Sequence, residues 1–147
     1  MTLKCFHRIN QGMVSIKPPY SPLAARLRPH HLDDFFGQRH LLGPQKALRQ
    51  AILQGQLHSM ILWGPPGTGK TTLAKLMANH VQARFESLSA LQAGVKEIRH
   101  IAERTQAELN PQSAQKTILF IDEIHRFNKA QQDALLPFVE SGLFILV

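Results

Sequence analysis

Short continuous apolar runs alternate along this chain with stretches whose apolar residues recur every three or four positions. Met60-Ile61-Leu62-Trp63 is bounded by Gly64-Pro65-Pro66 and is too short for a helix, so it reads as a buried strand. Thr117 to Ile121 (TILFI) is a second apolar strand, and Arg84 to Leu88 a weaker candidate. The helical stretches lie around them. Ala47, Leu48, Ala51 and Ile52 share one face of a helix that Pro44 would open and Gly55 would stop. A proline is tolerated in a first helical turn because its missing N–H has no partner there. Thr72 to His80 carries Leu73, Leu76 and Met77 on one side. Val95 to Gln106 repeats the pattern through Val95, Ile98, Ala102 and Thr105, until Asn110-Pro111 breaks it. Gln131 to Val139 is helical again, with Pro137 a kink or an end. Apolar strands alternating with amphipathic helices predict an α/β fold, a parallel sheet covered on both faces.

The chain is 147 residues long, a length that suits one domain. Hydrophobic residues are 44% and charged residues 18%, a composition that can fold rather than stay disordered. The longest clean apolar run is Leu143 to Val147, far short of the roughly 18–20 residues a membrane helix needs. Cys5 is the single cysteine, which rules out an intrachain disulfide and a four-cysteine zinc site and fits a reducing compartment. The eight histidines show no regular ligand spacing, and adjacent His30 and His31 read as solvated or core residues. A net charge of +7 favours polyanions such as nucleic acid or nucleotide. The basic residues are scattered, however, and charge alone reads as a solvated basic surface. Met1 to Tyr20 contains no acid and ends in Pro18-Pro19, and is expected to be a disordered extension ahead of a core over 21–147.

Residues 64–71 read GPPGTGKT, an instance of G-x-x-x-x-G-K-[ST]. Chance alone matches a chain of this length about once in 200. The motif also follows a predicted strand and opens a predicted helix, as its chemistry requires. Gly64, Gly67 and Gly69 let backbone wrap a phosphate with no Cβ in the way. The whole stretch Gly64, Pro65, Pro66, Gly67, Thr68, Gly69, Lys70, Thr71 and Thr72 is the candidate nucleotide-binding segment. Its amides and the helix N-terminus aim partial positive charge at the phosphates. Lys70 supplies a full charge to the β- and γ-phosphates, and Thr71 offers a hydroxyl to Mg²⁺. The second strand ends in Asp122-Glu123 within TILFIDEIHRFN. Carboxylates at the C-terminal end of a parallel strand lie where open α/β sheets bind ligands. Asp122 would hold Mg²⁺ through its water shell, and Glu123 would polarise an attacking water. His125 reads as a supporting or interface side chain rather than a metal ligand.

GPPGTGKTTLA followed by ILFIDEIHRFNKAQQDALLPFVE resembles the AAA+ ATPases. Within them the chain is similar to the RarA/MgsA family of replication-associated recombination ATPases, which are related to clamp loaders and the RuvB motor. PLAARLRPHHLDDFFGQRHLL (22–42), LHSMILWGPPGTGK (57–70) and GVKEIRHIAER (94–104) carry the same resemblance, which spans about residues 21–142. It implies a three-layer P-loop NTPase fold, ATP and Mg²⁺ as cofactors, and a bacterial, cytoplasmic setting. It also implies action on single-stranded or fork DNA without sequence preference, work alongside single-stranded-DNA-binding protein, and a homo-oligomer whose subunits complete each other's sites. By the same resemblance Arg28, Pro29, Gly37 and Gln38 line the adenine and ribose pocket, and Ser89 gates the glutamate. After Glu140 the family continues into a sensor segment, an arginine finger and a helical lid, whereas this sequence reads SGLFILV. The core is therefore expected to be incomplete at its C-terminal end, with Ser59 to Trp63 an exposed apolar edge. A nucleotide-binding remnant without turnover is the alternative expectation. A DExH-type helicase fits less well, because that class needs two core domains.

Overall fold

The computed structural model describes residues 22–108 and 115–147. The expected extension over 1–20 lies outside the described residues. Three strands form one parallel sheet in the order β1 (Arg84–Ser89), β2 (Thr117–Asp122), β3 (Ile145–Leu146). β1 and β2 pair from Arg84 opposite Thr117 to Ser89 opposite Asp122, and β3 pairs through Ile145 and Leu146 with Ile118 and Leu119. Among the described residues six α-helices accompany it: α1 (Leu23–Arg26), α2 (Arg39–Leu42), α3 (Ala47–Leu53), α4 (Lys70–His80), α5 (Val95–Glu108) and α6 (Lys129–Glu140).

The central strand β2 is buried from Thr117 to Ile121, and its pleat sends alternate side chains to opposite faces. Ile118 and Phe120 pack with Leu73, Ala74 and Met77 of α4 and Ile52 of α3. Leu119 and Ile121 pack on the other side with Ile98 and Ala102 of α5 and Leu135 of α6. Two hydrophobic layers on one sheet give the expected three-layer α/β architecture. Burying one side chain such as Ile118 or Leu119 completely contributes about 1.5–3 kcal/mol. α5 turns Ile98, Ile101, Ala102 and Thr105 inward at helical spacing. Its outer face carries Arg104, whose guanidinium lies 2.6 Å from Glu86 of β1, while Arg84 bridges Glu86 and Glu108. No helix among the described residues is long and apolar enough to cross a membrane.

Two boundaries differ from expectation. The segment Met60 to Trp63 is not a buried strand. Met60 N–H donates to Leu146 O (2.8 Å) and Ser59 Oγ accepts from Leu146 N–H (3.0 Å), but no regular ladder forms. The reason is the brevity of β3, which offers a partner only at the start of the segment. Met60 and Leu62 still pack against the core, whereas Ile61 and Trp63 are 77% and 95% exposed, an apolar edge as expected. Pro44 does not open α3 either; it lies in a turn closed by Lys46 N–H to Gly43 O (3.0 Å), and the helix begins at Ala47. The fixed φ of proline suits the second position of such a turn equally well. Pro137, expected at a kink or an end, lies inside α6, which continues to Glu140, so it does not end the helix.

Candidate functional site

The loop 64–69 joins the apolar edge segment to α4. Gly67 and Gly69 have φ of 81° and 89°, left-handed values that glycine takes without penalty. Gly69 has a second constraint: a Cβ there would lie 2.8 Å from Phe35 Cζ. The Phe35 ring thus rests on the last residue of the loop. Thr68 Oγ1 donates to Pro65 O (2.9 Å) and braces the loop across its width. Lys70 Nζ donates to Gly64 O (2.8 Å) and Pro65 O (3.0 Å), so its ammonium is folded over the loop. Thr71 and Thr72 are half-buried in the first turn of α4, whose eleven residues give its N-terminus a full helix dipole behind it.

On the other side, β2 ends with Asp122 exposed. Asp122 O accepts from Ala90 N–H (3.0 Å), and Ser89 stands directly opposite Asp122 in the register. Glu123 follows in a left-handed conformation (φ 59°, ψ 38°) and heads a 3₁₀ turn, Ile124–Arg126, closed by Arg126 N–H to Glu123 O at 2.8 Å. A non-glycine residue there is uncommon and marks a functional candidate. Buried Phe127 pins the far end of the turn. Asn128 and Gln131 then form a reciprocal capping box on α6, with contacts of 3.0 and 2.8 Å, and Gln131 Nε2 donates onward to Ala93 O (2.6 Å). The polar run Asn128 to Gln132 therefore locks the acidic turn to the loop after β1.

A cavity of about 670 Å³ joins the two halves: Gly64 and Lys70 line it together with Asp122, Glu123 and His125. Its remaining wall is mostly apolar, from Met60, Trp63, Leu135 and Val147 among others, with Gln132 a polar exception. A second cavity of about 390 Å³ is lined by Thr68, Gly69 and Lys70 on one side and Phe35, Gln38 and Leu41 on the other. Of the four residues expected at an adenine pocket, Gln38 thus faces the loop. Gly37 lines the adjoining cavity with Phe35, while Arg28, exposed, and Pro29, half-buried, line neither. Gly37 and Gln38 are both left-handed (φ 85° and 52°), so the chain turns sharply into α2 there. Phe35 is the residue that sequence reasoning missed. Its only local signal is the Phe35-Phe36 pair ahead of Gly37, and nothing in the pair says which ring faces inward.

A glycine loop closing on a helix N-terminus, opposite carboxylates at a parallel strand end, defines a P-loop nucleotide-binding domain of the α/β class. The family model described as "ATPase family associated with various cellular activities (AAA)" matches residues 60–142, and the chain belongs to that family of ATPases. It is 56% identical over 128 residues to the replication-associated recombination protein A of Coxiella burnetii and 55% identical to that of Escherichia coli (strain K12). Each alignment covers 87% of this chain and 28% of the relative, so the chain spans just over a quarter of the relatives' length. Among solved structures it resembles the Thermotoga maritima RuvB Holliday junction branch migration motor, with 34% identity and a TM-score of 0.65 over 82% of this chain and 41% of that one.

Proposed function

We propose that residues 21–147 act as the ATPase core of a replication-fork maintenance protein, one that couples ATP hydrolysis to DNA recombination and repair. The observation that carries this reading is the single cavity shared by Lys70 of the loop and the Asp122-Glu123 pair. The phosphates of ATP fit the loop because two left-handed glycines keep its inner surface free of side chains. Lys70, now resting on the Gly64 and Pro65 carbonyls, swings to the β- and γ-phosphates. Thr71 and Asp122 would hold magnesium, which would supply charge to neutralise the phosphates. Glu123 orients a water and takes its proton as the water oxygen attacks the γ-phosphorus. The bond to the β–γ bridging oxygen breaks, and the products are ADP and phosphate. This reading takes Ser89, opposite Asp122 in the register, as the residue that would gate the glutamate during this step. Gln38 and Gly37 receive the adenine and ribose; Arg28 and Pro29, which line neither cavity, would complete that pocket only if the segment before α2 folded over it.

The relatives' names and the net charge of +7 together support DNA as the object of the work, bound through its backbone rather than its bases. The same reading takes further copies of the chain and single-stranded-DNA-binding protein as partners, in the cytoplasm. Glu123→Gln tests the hydrolytic role. It keeps the shape of the side chain but removes the base, so ATP binding should persist while steady-state turnover falls by at least about a hundredfold, as loss of a general base does. Equal turnover in variant and parent would overturn the assignment.

A further inference from the structure

His125, like Arg126, is a polar residue of the acidic turn that the catalytic reading leaves without a task. Its Nε2 lies 3.2 Å from Glu123 Oε2, and Arg126 Nε lies 3.9 Å from the same oxygen. No polar contact reaches Glu123 Oε1 among the described residues. The turn dictates this arrangement. Glu123 is left-handed, Arg126 N–H closes on its carbonyl, and Phe127 and Ile124 are held by the core beneath α5 and α6. With its backbone fixed at both ends, the turn brings the exposed His125 ring nitrogen to one edge of the partly exposed carboxylate. His125 and Glu123 also line the cavity that contains Lys70, so the contact sits on the chamber where phosphate would be cleaved.

We propose that His125 is a positioning residue for Glu123. Its Nε2 holds Oε2 and leaves Oε1 free to meet the water. A carboxylate on a flexible side chain samples several rotamers, and only those that present an oxygen to the water are productive. Restricting that freedom raises the rate of the chemical step without adding any contact to the nucleotide. The inference rests on Glu123 being the hydrolytic base.

The test uses the 147-residue chain with His125→Ala and His125→Gln, each in the parent and in the Glu123→Gln background. His125→Ala should lower kcat about tenfold and leave KM and ATP affinity unchanged. His125→Gln, whose amide nitrogen reaches a similar distance, should recover to within about threefold of the parent. In the Glu123→Gln background His125→Ala should have no further effect, because interacting residues are not additive. The side-chain carboxyl carbon of Glu123, followed by ¹³C NMR, should shift in His125→Ala and return in His125→Gln, a readout independent of turnover. An unchanged carbon shift, an unchanged kcat, an equal loss in both backgrounds, or a failure of glutamine to restore would each overturn the proposal. A restored carbon shift together with a kcat that His125→Ala leaves unchanged would uphold the contact and overturn its part in hydrolysis.

Discussion

Replacing Gly69 by alanine probes the loop at its most constrained point. Two penalties are set by the structure. The residue is left-handed at φ 89°, which costs an L residue about 1–2 kcal/mol. The added methyl would also meet the Phe35 ring at 2.8, 3.3 and 3.8 Å, and such overpacking costs typically about 1–3 kcal/mol. The ring is only half-buried, so it can give way in part. Gly69→Ala should therefore destabilise the fold by about 2–4 kcal/mol, or roughly 5–15 °C in Tm for a chain of this size. Phe35→Ala separates the two contributions. In that background the clash is gone and only the backbone cost of about 1–2 kcal/mol should remain. Urea unfolding of the four proteins, followed by circular dichroism, closes the cycle. A fully additive cycle would refute the contact between Phe35 and the loop. Gly69→Ala as stable as the parent would refute the left-handed loop itself.

Two further outcomes follow from the same structure. Asn128→Ala removes half of the capping box on α6 and should cost about 0.5–2 kcal/mol in urea unfolding, with ATP affinity preserved; no loss would mean that the cap is not formed. DNA binding should be electrostatic and independent of sequence, its affinity falling about tenfold or more between about 50 and 200 mM salt; a salt-insensitive or strongly sequence-selective interaction would contradict it.

Positions whose local geometry is set by nearby residues were readable from the sequence. The loop 64–71 needs glycine at fixed spacing, and Asp122-Glu123 stands out because a run of buried residues stops there. β2 and the helices α4, α5 and α6 were legible for the same reason: hydrophobic period alone decides which face turns inward. The misread elements depend on partners far away in sequence. Met60 to Trp63 has strand composition, yet a strand exists only where a neighbour supplies a ladder, and β3 supplies one contact. Phe35 and Phe36 are chemically identical, but one packs on Gly69 and the other is 97% exposed. β1 is charged at Arg84 and Glu86 and looked weak, yet it pairs with β2 along all six residues while α5 answers those charges. The run NKAQQ was legible only as a family resemblance, and its physical basis is a helix cap tied to the loop after β1.

The central claim is that Lys70 anchors a nucleotide in the loop it closes. Calorimetric titration of ATP with magnesium into the parent chain and into Lys70→Ala measures this most directly. Loss of a charge-assisted phosphate contact of about 1.5–3 kcal/mol should weaken binding by roughly 10- to 150-fold. Equal affinity in the two proteins would show that the phosphates of ATP are held elsewhere.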